Sequence, residues 1–230
     1  MIFNNPPAET VYQTYREKLT GWYDNCCQTN VAILGADISA LLAGIFLEDA
    51  GLQTVVLTES EQPGDRFILK QGPVPIIHPA EQILHEIDFK TALEAPFWVQ
   101  RTELLAFCTE KYFAAGGSFL PGVTVERITG QPAGHELQLR LDEQPLVITA
   151  EKTLVTTPVA QVEILTEKEG SVHQYMVLNT GLRSEGWIQA GYQAVDRYST
   201  SEELLLVNGA ILSGRKAAEV VVSGLEQAGD

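Results

Sequence analysis

The segment from Gly35 to Glu59 has the residue types and spacing of a dinucleotide site. Gly35-Ala36-Asp37-Ile38-Ser39-Ala40 follows the short apolar run Val31–Leu34, and Glu59 stands about 20 residues further on. In the pattern G-x-G-x-x-G/A, the first glycine makes a tight turn and the last small residue lets a helix pack on a strand. The helix N-terminus then binds pyrophosphate, and the acid binds a ribose hydroxyl. The candidate cofactor-binding residues are therefore Gly35, Ala36, Asp37, Ser39, Ala40 and Glu59.

Asp37 departs from this pattern, because it replaces the glycine at which the backbone approaches the pyrophosphate. A carboxylate about 4 Å from a phosphate charge costs about 1 kcal/mol in water and about 4 kcal/mol at the effective dielectric of a protein surface. The affinity then falls by a factor between several-fold and about a thousand. Alternatively, Asp37 turns outward and caps a helix that begins near Ile38. Such a cap still occupies donors that a pyrophosphate needs.

The composition indicates one globular domain over residues 1–230. Hydrophobic residues make up 45% of the chain, and no apolar run approaches the about 18 residues of a membrane-spanning helix. The N-terminus lacks the basic and apolar blocks of a signal peptide, which predicts a cytoplasmic protein. The net charge of −15 argues against nucleic acid and anionic membranes as partners, because both attract basic surfaces.

Other reactive residues show no catalytic or metal-binding spacing. The three cysteines lack a C-x-x-C pattern, and Cys108 is expected on a helix, facing the hydrophobic core of the protein. Histidines 78, 85, 135 and 173 lack metal spacing, and His135 is expected at the surface. The run Ser213–Lys216 is expected to open the last helix, either as a solvated first turn or with a cation near a phosphate. No catalytic residue and no metal ligand is predicted.

Periodicity and turn residues predict the elements that position the candidate site. A βαβ unit spans about residues 30–59, with a helix over Leu41–Ala50 and a second strand over Thr54–Leu57. An antiparallel β-meander covers about residues 122–150, and a final helix covers about 210–227. The remaining predictions are a helix over 8–22, an irregular loop from Ser60 to His78, helices over Ala80–Ile87 and Thr102–Ala115, and strands over Phe97–Val99, Lys152–Thr156 and Trp187–Ala190.

This element order predicts an α/β fold of the Rossmann-like FAD/NAD(P)-binding type. Its parallel central sheet would be covered by helices on one side and by the antiparallel meander on the other. A ligand would lie at the carboxyl ends of the strands, around Gly35 and Glu59.

Several blocks of the sequence resemble the thiamine thiazole synthase family over roughly residues 8–226. They are VAILGADISALLAGIFLEDAGLQTVVLTE, HPAEQILHEIDF, TELLAFCTEKYFAAGGSFLPGVTVERI and GAILSGRKAAEVVVSGL. Members of that family build an adenylated thiazole from NAD and glycine, with sulfur from a protein cysteine or from sulfide with iron. The resemblance implies an adenine contact at Val125 and a homo-oligomer.

The chain differs from the family where the family's chemistry is located. The second turn glycine is Asp37, and the multi-glycine loop keeps only Gly64 and Gly72. The family's Asp-Ala-Thr-Gly-His segment aligns with 156–160, so Thr156 and Ala160 replace an acid and a histidine of the iron site. The connection over 142–145 has no sulfur-donating Cys or His. The family's Arg-Met-Gly-Pro segment, whose arginine holds a carboxylate, aligns with a segment that begins with glutamates 202 and 203. Arg197 is nearby and is the alternative residue for holding that carboxylate.

These departures favour a catalytically degenerate thiazole synthase-like protein, a pseudoenzyme derived from thiamine biosynthesis. Two alternatives stay open, an active synthase with remodelled chemistry and an FAD- or NAD-dependent oxidoreductase. The cofactor would be NAD, FAD or only an adenosine-containing fragment, and Asp37 would weaken its binding. A small nucleotide is therefore the expected ligand.

Overall fold

A computed structural model describes residues 28–61, 63–64, 73–89, 97–131, 134–141, 144–156, 163–165, 187–189 and 202–226. The predicted helix over residues 8–22 lies outside these ranges. The strands are β1 (Gln28–Leu34), β2 (Thr54–Leu57), β3 (Pro73–Ile76), β4 (Phe97–Gln100), β5 (Ser118–Leu120), β6 (Val123–Gln131), β7 (Gly134–Leu141), β8 (Gln144–Val155), β9 (Glu163–Leu165) and β10 (Trp187–Gln189). The helices are α1 (Ile38–Asp49), α2 (Ala80–Glu86), α3 (Arg101–Ala115) and α4 (Glu202–Glu226).

Five strands of the main sheet pair in parallel in the order β5-β2-β1-β8-β10, and β9 pairs in parallel with β6 elsewhere in the same sheet. Leu34 at the end of β1 is in register with Leu57 at the end of β2 and with Val155 at the end of β8. The carboxyl ends of these three strands therefore meet at one edge of the sheet, with the turn into α1 between them. The predicted βαβ unit and parallel sheet are confirmed.

Two apolar clusters fill the opposite faces of the sheet. Ile33 packs on one face with residues of α1, α3 and α4, whereas its neighbours Ala32 and Leu34 pack on the other. This alternation follows from the two-residue period of a strand. The second cluster contains Leu137 of β7 and Ile148 of β8, so the meander covers that face. The predicted layering, with helices on one side and the meander on the other, is confirmed.

The predicted end of the meander and the predicted strand over Lys152–Thr156 form a single long strand. Residues 144–150 of β8 pair antiparallel with β7, and residues 149–155 pair parallel with β1. The prediction of two strands is wrong, because β7 and β1 pair with the two ends of a single continuous strand. In addition, β3 lies inside the segment predicted as irregular, where it pairs antiparallel with β4.

The last helix begins at Glu202, eight residues before its predicted start. Asn208, which favours turns in isolation, lies buried inside α4. Its side chain accepts a hydrogen bond from the Ile77 amide at 3.0 Å and donates one to the Pro75 carbonyl at 2.9 Å. These tertiary contacts override the local preference, and Ser213–Lys216 consequently lies in the middle of the helix instead of opening it. Of the described helices, none is long and apolar enough to cross a membrane.

His135 of β7 is buried, so its predicted surface position is wrong. Its Nδ1 shares a hydrogen bond of 2.9 Å with the Thr153 hydroxyl, because Ala150 of β8 lies opposite His135 in the sheet. Burial, with a smaller contribution from the charge of Lys152, lowers the pKa of His135 from 6.5 to about 4. The ring is therefore neutral in the folded protein at neutral pH.

This burial predicts an acid-sensitive fold. The unfolded chain gains a proton at His135 near pH 6.5 and the folded chain only near pH 4, so stability is lost as the pH falls through this window. We expect a loss of about 3 kcal/mol of unfolding free energy from this residue. Urea unfolding at several pH values measures it, with His135→Asn as a non-titrating control that keeps a polar atom near Thr153. An equal loss in both proteins would contradict the assignment.

A second prediction concerns two glycines of α4 in different surroundings. A Cβ on Gly214 would lie 2.6 Å from the Ser39 carbonyl oxygen of α1, whereas a Cβ on Gly224 meets nothing within 4 Å. We expect Gly214→Ala to destabilise the fold by about 1–3 kcal/mol through overpacking. Gly224→Ala should be neutral or stabilising by up to about 1 kcal/mol, since alanine favours helix. Thermal or urea unfolding compares the pair, and equal effects would contradict the close contact of α1 and α4.

Candidate functional site

The turn after β1 lies between the ends of β2 and β8. Gly35 has a φ of 111°, a left-handed conformation that favours glycine, and its amide donates to the Leu57 carbonyl at 2.8 Å. On the other side, the Thr156 amide donates to the Leu34 carbonyl at 2.9 Å. The Gly64 amide donates to the Ala36 carbonyl at 2.8 Å. The first glycine of the pattern thus makes the tight turn that the sequence predicts.

Asp37 is the N-cap residue of α1. Its backbone is extended, and its Oδ1 accepts hydrogen bonds from the Ala40 amide at 2.9 Å and from the Ser39 hydroxyl at 2.7 Å. Ala40 is completely buried, in keeping with the small residue that the pattern places there. The structure therefore brings Gly35, Ala36, Asp37, Ser39 and Ala40 together in one turn.

The predicted cap is confirmed, but the predicted outward orientation of Asp37 is wrong. The residue is only 7% exposed, and its Oδ2 is buried without a hydrogen-bond partner. Burial raises the pKa of this carboxyl above 3.8, although hydrogen bonds from Ser39 and Ala40 oppose the shift. The side chain turns inward because its Oδ1 caps a helix end that is itself buried.

Thr156 is a neighbour of Asp37 that sequence reasoning did not assign to the site. Its hydroxyl lies beside the carboxyl and further lowers the pKa of Asp37. The same hydroxyl also donates a hydrogen bond to the Leu34 carbonyl, at 3.1 Å. The sequence signal that could have identified Thr156 is its position directly after a buried apolar strand, because the carboxyl ends of parallel strands meet at one edge of the sheet.

Glu59 follows the end of β2 at the same edge, whereas Val125 lies within β6 of the meander. Glu59 is exposed just after β2, next to Thr58, whose carbonyl accepts from the Val123 amide at 3.0 Å. Val125 is half-buried in β6 and packs against the meander side of the core, beside a register shift between Val125 and Arg127. The ribose and adenine roles of these two residues remain predictions.

Other predicted chemistry falls outside this edge or outside the described residues. Cys108 is buried in α3, as predicted, and burial raises the pKa of its thiol to about 12. Arg215 interacts with Glu86 of α2 at 3.2 Å and stacks over the Phe46 ring, away from the α1 turn. Within the described ranges, no group of three or more His, Cys, Asp or Glu is placed to hold a metal ion. Gly72, residues 157–160 and Arg197 are not described.

Comparison with known sequences gives one consistent result. The chain is 25% identical to thiamine thiazole synthase of Saccharolobus islandicus (strain Y.N.15.51 / Yellowstone #2), an alignment that covers 91% of each protein. The corresponding enzyme of Saccharolobus solfataricus is 24% identical, also over 91% of each protein. No model of a known protein family matches the chain.

Comparison with solved structures supports the same fold. THI4 of Thermovibrio ammonificans superimposes with a TM-score of 0.69 at 20% identity, over 97% of this chain and 99% of that one. The p-nitrophenol 4-monooxygenase PnpA of Pseudomonas putida superimposes with a TM-score of 0.63 at 10% identity, over 87% and 81%. We therefore identify the chain as a divergent relative of the thiamine thiazole synthases, built on the FAD/NAD-binding fold.

Proposed function

We propose that this protein keeps the thiazole synthase fold but has lost the formation of thiazole from NAD and glycine. The observation that carries the proposal is the Asp37 carboxylate at the N-terminus of α1. Relatives with the full glycine pattern leave this helix end open to a pyrophosphate. Here the chain's own side chain takes that place, and the protein acts as a binding or interaction module.

The block has two physical parts. First, Oδ1 of Asp37 uses the Ala40 amide, one of the donors that a helix N-terminus offers to a phosphate. Second, the carboxylate places a negative charge where the phosphate would bring another, at a cost of about 4 kcal/mol at close range. Burial of Asp37 has two opposed effects, because it limits screening of the repulsion by solvent but also raises the pKa of the carboxyl and so disfavours its charged form.

The residues expected for the chemistry support the same proposal. Thr156 stands where the family resemblance implies an iron-binding acid, and its hydroxyl is engaged with the Leu34 carbonyl. Strand β7 ends at Leu141 and β8 begins at Gln144, so only Asp142 and Glu143 connect them. This connection has no Cys or His to donate sulfur and no room for a long excursion.

A second candidate function is an FAD- or NAD-dependent oxidoreductase. Retention of Gly35 and Ala40 in the turn and of an exposed acid, Glu59, after β2 favours it. This candidate requires a purified protein that shows flavin absorbance or takes up added FAD. We also propose a single domain and a cytoplasmic location, which the sequence predicts, and a homo-oligomer, which the family resemblance alone implies.

The proposal predicts that Asp37 suppresses dinucleotide binding. Calorimetric titration with NAD, FAD and ADP should show weak or undetectable binding by the wild-type protein. Asp37→Gly should gain affinity by about tenfold to a thousandfold, because it removes the charge and frees the Ala40 amide. Asp37→Ser, which keeps a cap without the charge, separates the two effects.

The outcomes of this titration are distinct. Tight wild-type binding of NAD, with thiazole formation from NAD, glycine and sulfide with iron, would overturn the proposal. Tight binding of FAD with a yellow protein would favour the oxidoreductase instead.

A further prediction concerns pH and Asp37→Asn. Because the carboxyl has a raised pKa in the folded state, the folded protein holds this proton more tightly than the unfolded chain. Its contribution to stability is therefore greatest below the unfolded pKa of about 3.8 and is lost as the pH rises through the folded pKa. Asparagine caps equally well and does not titrate. Urea unfolding should show the stability of Asp37→Asn relative to wild type increasing as the pH rises above about 3.8, until the folded pKa is passed. A constant difference would contradict the raised pKa of the buried carboxyl.

A further inference from the structure

Asn208 and Gly209 form the only Asn-Gly pair in the sequence, and the pair lies inside α4. In such a pair, the backbone amide nitrogen of the glycine can attack the side-chain amide carbon of the asparagine, because glycine has no Cβ that hinders the approach. The reaction needs no enzyme, and it makes asparagine a thermolabile residue. The pair therefore has the chemistry of a modification site.

The fold keeps the two reacting groups of this pair apart. Gly209 lies beyond the first turn of α4, which begins at Glu202, so its amide is used by the hydrogen-bond ladder of the helix. The Asn208 side chain is only 4% exposed and is held by its hydrogen bonds to Ile77 and Pro75, at 3.0 and 2.9 Å. The pair consequently reacts only in molecules in which α4 has opened locally.

The contact of α4 with β3 depends on the amide of the Asn208 side chain. The amide oxygen accepts from the Ile77 backbone, and the amide nitrogen donates to the Pro75 carbonyl. A carboxylate at this position has no proton to donate to that carbonyl, and its charge would be buried against a strand without charged residues. Conversion of the amide to a carboxylate therefore removes one of the two hydrogen bonds and adds a buried charge.

We propose that Asn208-Gly209 is a latent modification site, and that its conversion is a one-way switch of the contact between α4 and β3. When α4 opens, the Gly209 amide nitrogen loses its proton to solvent and bonds to Cγ of Asn208. The bond from Cγ to Nδ2 breaks, and Nδ2 leaves as ammonia after taking up a proton. Water then opens the cyclic imide at either carbonyl, which leaves an aspartate or an isoaspartate. The net change is the uptake of one water and the release of one ammonia.

The isoaspartate product affects the helix as well as the contact. Its main chain runs through the former side-chain carbon, so the backbone of α4 gains an atom at this position. The regular hydrogen-bond ladder of an α-helix requires a constant backbone repeat, and this product interrupts it. Neither product restores the amide, so a molecule that has reacted cannot close α4 onto β3 as before.

Peptide mapping by mass spectrometry tests the site. The full chain is incubated at mildly alkaline pH, with and without concentrated urea. We expect conversion of Asn208 in urea and conversion at least about tenfold slower in the folded protein, because only the open fraction reacts. Asn30 is the internal control and should stay unconverted, since the β-branched Val31 that follows it hinders the attack.

Two variants assign the reaction and its effect. Gly209→Ala, measured in urea so that its folding is irrelevant, should lose most of the conversion over the same period because its Cβ hinders the attack. Asn208→Asp carries one of the two products. Urea unfolding near neutral pH should show its unfolding equilibrium constant raised at least about tenfold over wild type, because a buried acceptor loses its donor. Wild type that has been converted in urea and then refolded serves if this variant cannot be purified, and it should show the same loss.

The results that would overturn the proposal are equally specific. Equal conversion of the folded and the unfolded wild type would show that the fold does not protect the pair. Conversion of Asn30 or of Gly209→Ala as fast as that of the wild-type pair would remove the assignment to Asn208-Gly209. An unchanged unfolding midpoint for both Asn208→Asp and the converted wild type would show that conversion does not switch the contact.

Discussion

The contact between the Asp37 carboxylate and the first turn of α1 is the interaction on which the rest of the account depends. A helix end at the carboxyl edge of a parallel sheet is an anion site by construction, because its amides and its dipole point outward. Here Oδ1 of Asp37 takes the place of an external acceptor, and it receives a hydrogen bond from the Ala40 amide at 2.9 Å. The Ala40 amide is therefore satisfied from within the chain, by a side chain that is almost completely buried.

The surrounding fold holds this turn in place. Gly35 allows the chain to reverse direction, and its amide is tied to the end of β2. On the helix side, Gly214 lets α4 approach the Ser39 backbone so closely that a Cβ would collide. The turn that the dinucleotide-binding pattern predicts is therefore present, with Asp37 at the helix end where that pattern has a glycine.

The local sequence predicted the elements that depend only on neighbouring residues or on a simple hydrophobic periodicity. The glycine turn, the βαβ unit and the N-cap at Asp37 followed from types and spacing. Long-range contacts decided the rest. Asn208 stays helical because it binds the backbone of β3 and the residue after it, and His135 is buried because β8 passes across from it. The neighbour Thr156, which is distant from Asp37 in sequence, comes beside its carboxyl only because β8 pairs with β1.

The most direct test of the central claim is the amide resonance of Ala40, followed by nuclear magnetic resonance during titration with ADP. If the Asp37 carboxylate occupies this donor, the Ala40 resonance stays unchanged in the wild type and shifts in Asp37→Gly as the phosphate takes the free amide. A shift of the same size at the same ADP concentration in both proteins would show that the carboxylate does not block the helix end, and would contradict the account.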